Sequence, residues 1–265
     1  MKKERRRVQT AERVSEWDMS DNYLFQRSLL AYRRAAELIS GDVLEIGTGS
    51  GYGIPFLASR AKSLLTVDKY MPPIDLTPYD HVEFRRMAAS SLAELAGESF
   101  DCVVTFQVIE HIRNDMAFVC EIERLLKPGG LLLLSTPNRL MSLTRNPWHV
   151  REYTERELRS LLGTFFLSIE AEGIFGNAKV MEYYEKNKHA VERITRFDPL
   201  GLQYRLPRWM LQIPYDILNR RNRRKLLIEN HNLTSGMMME DYAFGPASDT
   251  CFDLFYRARK NESLL

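Results

Sequence analysis

Apolar positions recur along this chain with two different spacings, and the alternation between them predicts an architecture. Over residues 20–40, Leu24, Phe25, Leu29, Tyr32, Ala36 and Ile39 return at helical intervals until Ser40-Gly41 interrupts them, the pattern of a helix with one buried face. Short apolar runs follow at 43–46, 64–67, 82–86, 102–106 and 131–135 and read as buried strands. Helical segments fill the gaps at about 52–60, 90–96 and 115–126; the last carries Met116, Val119, Ile122 and Leu126 on one face and stops at Pro128-Gly129. Alternating strands and helices predict a parallel sheet with right-handed crossovers and helices on both faces, an α/β fold of Rossmann-like type. One gap departs from the rule. Met71-Pro72-Pro73-Ile74-Asp75-Leu76-Thr77-Pro78 is too rich in proline for a full helix, so the second crossover is expected to be short or irregular.

Further on, Thr154-Glu155-Arg156-Glu157 forms a capping box that starts a helix ending at Gly163. Residues 165–174 read as a sixth strand. Residues 251–258 read as a seventh, with Phe252, Leu254, Tyr256 and Ala258 alternating with Asp253, Phe255 and Arg257. About 75 residues separate the two, far more than an ordinary connection. Within them Val180, Tyr184, Val191 and Ile194 share a helical face. A second apolar segment, Pro207 to Leu218, contains Trp209, Met210, Ile213, Ile217 and Leu218 and is broken by Pro214. Residues 229–250 read as a long loop, in which Met237, Met238 and Met239 offer adaptable apolar contacts. The organisation expected is a basic tail over 1–19, a core over 20–176, a helical insertion over 177–250 serving as a substrate cap, and a last core strand over 251–265.

The chemistry concentrates in Val43-Leu44-Glu45-Ile46-Gly47-Thr48-Gly49-Ser50-Gly51-Tyr52-Gly53. A buried strand here turns into a helix through a glycine loop whose backbone can approach a ligand closely. A dinucleotide fingerprint needs glycine at the first, third and sixth positions. The sixth position is Tyr52 counted from Gly47 and Ile54 counted from Gly49, so the hydride-transfer reading fails. Asp68 ends the next strand, Leu64-Leu65-Thr66-Val67, where an acid can accept both hydroxyls of a ribose.

Together with Ser99-Phe100-Asp101-Cys102-Val103-Val104, Glu110-His111-Ile112 and Leu126-Lys127-Pro128-Gly129-Gly130, these residues resemble a class I S-adenosylmethionine-dependent methyltransferase. Within that class the chain is most similar to the small-molecule branch that includes the ubiquinone-pathway O-methyltransferases. The resemblance implies a seven-stranded, mostly parallel sheet whose last strand runs antiparallel between the fifth and sixth. It implies S-adenosylmethionine as cofactor and S-adenosylhomocysteine as product. The cofactor residues it implies are Glu45, Gly47, Thr48, Gly49, Gly51, Asp68, Lys69, Ala88, Ala89 and Gln107. Glu45 would order the glycine loop by accepting backbone N–H bonds, and Gln107 would face the methionine moiety. Many relatives place an acid after strand three against the adenine amino group; Ala88 and Ala89 stand there instead.

On the substrate side, His149 lies in Asn146-Pro147-Trp148-His149-Val150-Arg151-Glu152-Tyr153, beyond the end of strand five, where open α/β sheets bind ligands. It is the one candidate for a base that takes a proton from an acceptor hydroxyl; the other reading makes it structural. Trp148 and Tyr153 share its loop, and His111 either orients the loop before a helix or takes part directly. The function implied is methyl transfer to an oxygen or nitrogen of a small molecule. The rival is a non-catalytic binder of S-adenosylmethionine or S-adenosylhomocysteine. A nucleic-acid methyltransferase would carry an Asn/Asp-Pro-Pro-aromatic motif where this chain has Phe106-Gln107-Val108-Ile109.

Composition adds bounds. A chain of 265 residues is long enough for one α/β core with an insertion. Net charge of +2 directs attention to local patches. Arg220-Arg221-Asn222-Arg223-Arg224-Lys225 is such a patch, expected first as a solvated helix end, second as a contact with an acidic membrane surface, and last as a nucleic-acid site. Cys102, Cys120 and Cys251 have no metal-ligand spacing. No metal is expected, and Cys102 and Cys120 read as small core residues. The basic segment Met1-Lys2-Lys3-Glu4-Arg5-Arg6-Arg7 has no apolar stretch behind it, and no run approaches the length of a spanning helix. The expectation is therefore a cytoplasmic protein.

Overall fold

Strands β1 (Asp42–Ile46), β2 (Ser63–Asp68), β3 (Val82–Arg86), β4 (Phe100–Phe106) and β5 (Leu126–Pro137) occupy the five early apolar runs. They are joined by β6 (Ser168–Gly176), β7 (Tyr242–Pro246) and β8 (Asp253–Arg259) in one sheet of order β3-β2-β1-β4-β5-β8-β6-β7. The computed structural model describes residues 14, 16–89, 91–196, 198 and 201–262. Most of the expected basic tail, Ser90 and the last three residues lie outside them. β1 pairs in parallel with β2 and β4, setting Val43 opposite Leu64 and Cys102. β8 runs antiparallel between β5 and β6, the position the resemblance implied.

Both faces of the sheet are covered, which explains strands that read as continuous apolar runs. On one face α1 (Asn22–Leu38) and α2 (Ile54–Ala58) bring Leu30, Tyr32, Ala35 and Leu57 onto Val43, Val104 and Leu133. On the other, α3 (Asp115–Leu125) and α4 (Glu155–Leu162) bring Val119, Ile122, Leu158 and Leu162 onto Leu44, Val103 and Leu132. The capping box forms as expected: Glu157 N–H donates to Thr154 Oγ1 (3.3 Å) and Thr154 N–H to Glu157 Oε2 (2.9 Å). No helix lies between β2 and β3, as the prolines required. The helix expected at 90–96 is reduced, among the described residues, to one 3-10 turn over Leu92–Glu94. On α3 the buried face is Phe118, Val119, Ile122 and Leu125, so Met116 and Cys120 turn to solvent. That corrects the core assignment of Cys120. Cys102 is buried as expected.

The region between β6 and β8 departs most from the sequence pattern. It forms α5 (Ala178–Thr195), α6 (Leu202–Arg205), α7 (Arg208–Glu229) and α8 (His231–Ser235) before β7. α7 continues through Pro214 instead of breaking. Proline forfeits one backbone bond there, while anchors further along hold the helix: Leu226 is buried, and Arg220 and Arg223 reach Asp21 at 2.6 and 2.9 Å. The basic run is thus not a uniformly solvated helix end. The loop expected over 229–250 holds α8 and β7, giving eight strands where seven were expected. β7 forms because β6 offers an open edge, a tertiary cue that local pattern does not carry. Tyr242 seals it, buried, with its hydroxyl donating to Tyr23 O at 2.6 Å. Among the described residues no helix is long and apolar enough to cross a membrane.

Candidate active site

The turn after β1 is held by the strand beside it. Gly47 N–H donates to Val67 O (2.8 Å), and Gly49 N–H donates to Asp68 Oδ2 (2.9 Å). Gly47 has φ +96°, and a Cβ there would fall 2.4 Å from Val108 Cγ2. Glycine is therefore required on both backbone and steric grounds. A Cβ on Gly53 would fall 2.1 Å from the Tyr32 ring. Gly53 is the residue that lets α1 pack against the turn, a role the glycine count did not assign. At Gly49, by contrast, a Cβ would meet nothing closer than 4.0 Å, so the turn presents open backbone to the space in front of it.

That space is a cavity of about 1500 Å³. Gly47, Thr48, Gly49, Asp68, Lys69, Ala89 and Gln107 line it, together with His111 and His149. Glu45, Gly51 and Ala88 lie outside the lining. Glu45 is buried and accepts from the hydroxyls of Tyr32 (2.8 Å) and Thr66 (2.5 Å), not from loop N–H groups, because its side chain points to α1 and β2. Burial pushes its carboxyl above the ordinary value, with the two hydroxyls pulling back. Gly51 packs on Pro72 and Ile74, where an added Cβ would fall 2.7 Å from Ile74 Cγ2. Gln107 follows β4 at φ +56°, a left-handed conformation that costs a non-glycine residue energy and marks functional positions in many proteins.

Beyond the β4 and β5 ends, the two histidines meet edge to face, with ring centroids 5.0 Å apart. His149 Nδ1 lies 2.6 Å from Glu152 Oε1, and His149 Nε2 lies 2.9 Å from Asn146 Nδ2. His111 Nδ1 lies 3.1 Å from Trp148 O. A carbonyl accepts only, so His111 carries its proton on Nδ1, and the same logic places the His149 proton toward Glu152. Both Nε2 atoms are then basic. The ligand atoms of Glu110, His111 and His149 lie within 4.8 Å of one another. Burial pushes the Glu110 carboxyl up, with both histidines pulling back.

Two expected substrate-side residues are not on the cavity. Tyr153 is wholly buried in the second core, its hydroxyl donating to Asp115 Oδ2 at 2.8 Å. Trp148 Nε1 donates to Asp216 Oδ1 at 3.0 Å, tying the loop to α7. The insertion does border the cavity: Tyr183, Asn187 and Val191 of α5 and Leu211, Pro214 and Tyr215 of α7 line it. The methionines do not. Met237 is buried in the first core, and Met238 is 61% exposed.

Among the lining residues that sequence reading passed over are Asn146, Glu152 and Arg27. Asn146 and Glu152 flank His149, and the three-residue spacing of His149 and Glu152 was a usable signal. Arg27 sits on the buried side of α1, with Nε 2.7 Å from Asp253 Oδ2. A cation among Tyr23, Leu30 and Ala31 was the sign. Burial pushes the Asp253 carboxyl up, and Arg27 beside it pulls back.

Comparison with known proteins accords with this geometry. Residues 20–171 match the family model of a methyltransferase domain, and the chain belongs to the S-adenosylmethionine-dependent methyltransferases. A protein of that description from Mycolicibacterium smegmatis is 38% identical over 184 residues, 65% of this chain and 70% of that one. A Mycobacterium tuberculosis relative is 37% identical over 175 residues, 61% of this chain and 62% of its own length. The ubiquinone biosynthesis O-methyltransferase of Dechloromonas aromatica is 30% identical over 112 residues, covering 40% and 48%. In three dimensions the chain is similar to a methyltransferase of Thermotoga maritima, with TM-score 0.56 at 16% identity, covering 90% of this chain and 92% of that one. S-adenosylmethionine is the cofactor. The glycine turn fits it, since its backbone is open at Gly49 and side chains would obstruct it at Gly47.

Proposed function

We propose that the protein methylates a hydroxyl or amine of a small molecule held between the β4 and β5 ends and the α5–α7 cap. One observation carries the reading: the glycine turn with Asp68, the His149–Glu152 pair and the inner faces of α5 and α7 all open onto one cavity. In this reading the backbone at Gly47, Thr48 and Gly49 would hold the amino-acid end of the cofactor. Asp68 would accept the ribose hydroxyls, Lys69 and Ala89 would flank the adenosine, and Gln107 would border the methionine moiety. When bound, the cofactor supplies an electrophilic methyl group on a positively charged sulfur.

The chain's own part is alignment, exclusion of water and movement of one proton. Leu211, Pro214 and Tyr215 would cover the acceptor, and holding it in line with the methyl group supplies much of the rate. His149 Nε2 would take the acceptor proton once the acceptor displaces Asn146, while Glu152 holds the imidazole and stabilises the imidazolium that forms. His111 Nε2 is the neighbouring basic atom, placed to bond the same acceptor group.

Incubating the protein with methyl-labelled S-adenosylmethionine and a fractionated small-molecule extract tests this. Label should pass to an extractable small molecule as S-adenosylhomocysteine accumulates. Tight S-adenosylhomocysteine binding without turnover in any fraction would make the protein a non-catalytic binder.

A further inference from the structure

The outer face of α7, at Trp209, Ile213 and Ile217, lies off the cavity. Trp209, Ile213 and Ile217 recur every four residues and are 72%, 71% and 62% exposed; Ile228, further along, is 79% exposed. Met210 flanks the row, also exposed, and Leu218 turns toward the cavity. A helix normally turns such residues inward. The basic run divides by helical position. Arg220 and Arg223 turn in to Asp21, Arg224 faces solvent on the side of the apolar row, and Arg221, also exposed, borders the cavity.

The acids of α7 are engaged elsewhere. Asp216 accepts from Trp148, and Glu229 pairs with Lys225 at 3.6 Å. Exposed Tyr204 and Arg205 of α6 add to the same character. The result is an apolar row with an indole at one end and an arginine at the other.

We propose that α6 and α7 dock the protein on the surface of an anionic lipid bilayer, with Trp209, Ile213 and Ile217 entering the interface and Arg205 and Arg224 meeting the headgroups. An interfacial helix needs this combination of an apolar face, an amphipathic aromatic and cations. A second copy of the chain fits less well, because the row carries no acid to receive a partner's arginines. The inner side of α7 lines the cavity through Leu211 and Tyr215, so a docked bilayer lies one helix diameter from the acceptor site. The proposal does not depend on which group is methylated, or on methyl transfer at all.

Co-sedimentation of the full chain with sucrose-loaded vesicles tests it. Vesicles of equal parts phosphatidylcholine and phosphatidylglycerol should pull the protein down, vesicles of phosphatidylcholine alone should do so far less, and added salt should weaken the binding. Trp209 emission should shift to the blue on anionic vesicles, and Trp209→Phe should abolish that shift. Replacing Arg205 and Arg224 by Glu should lower partitioning roughly tenfold or more, and I213S/I217S should lower it with the fold intact by circular dichroism, since both side chains are exposed. Equal partitioning of the wild type and these variants would overturn the proposal. So would a dimer in light scattering that the same substitutions dissociate.

Discussion

His149 Nδ1 lies 2.6 Å from Glu152 Oε1, three residues on in the same loop, and this contact decides which nitrogen of the ring is basic. His149→Ala should lower turnover by about two to four powers of ten while sparing cofactor affinity, the usual range for loss of a positioned base. Glu152→Gln, which permits the other tautomer, should fall between that variant and the wild type. Steady-state kinetics with an identified acceptor check both. Unchanged turnover in His149→Ala would leave alignment alone as the source of rate.

Asp68 accepts from Gly49 N–H and from Tyr70 N–H, at 2.9 Å each, so its carboxylate is already oriented at the cavity rim. Asp68→Ala should weaken S-adenosylhomocysteine binding by about 1–3 kcal/mol, the cost of leaving hydrogen-bonding groups without partners. Isothermal titration of the two proteins measures it. Equal affinities would remove Asp68 from the ribose.

Gln107 adopts φ +56° just after β4. Such strain costs about 1–3 kcal/mol, and glycine relieves it at an entropic cost of about 0.5–1 kcal/mol. Gln107→Gly should therefore raise unfolding stability, and Gln107→Ala, which keeps the strain, should not. Urea unfolding of both variants distinguishes them, and equal midpoints would refute the strain.

Burial raises the Glu45 carboxyl above its unfolded value. The folded protein then holds that proton more tightly than the unfolded chain does. The contribution is fully present below the unfolded value of about 4.3 and is lost as pH rises through the higher folded value. Glu45→Gln lacks this dependence. The stability of the wild type relative to the variant should fall as pH rises from about 4 to 7. A difference that stays flat, measured by thermal melts across that range, would contradict it.

What the sequence revealed was whatever depends on neighbours along the chain. β1, β2, β4 and β5 announced themselves because burial on both faces leaves unbroken apolar runs, and Thr154 with Glu157 announced α4 through a local exchange of hydrogen bonds. The glycine turn and Asp68 were legible for the same reason, since one strand end and the next border the same cavity. What stayed hidden depends on partners far away in sequence. β7 exists because β6 has an open edge, and α7 survives Pro214 because Asp21 anchors its later half. Glu45 turned to Tyr32 and Thr66, and Tyr153 to Asp115, contacts across 13, 21 and 38 residues. His149 with Asn146 and Glu152, each three residues away, was near enough to be read and was passed over.

The insertion leaves and rejoins the sheet at one point. Gly176 and Tyr242 sit opposite each other in the β6–β7 ladder. Just beyond, Asn177 N–H donates to Asp241 O (2.9 Å) and Asn177 Nδ2 to Asp241 Oδ1 (2.8 Å). Roughly sixty residues are thus closed by a single clasp, and loop-closure entropy grows only with the logarithm of length. Above the clasp the helices are keyed into the body: Val180, Tyr183 and Leu226 pack in the first core, and Arg220 and Arg223 reach Asp21. Residues of the insertion away from those anchors can therefore be added or removed at little cost, whereas loss of a buried anchor opens the first core.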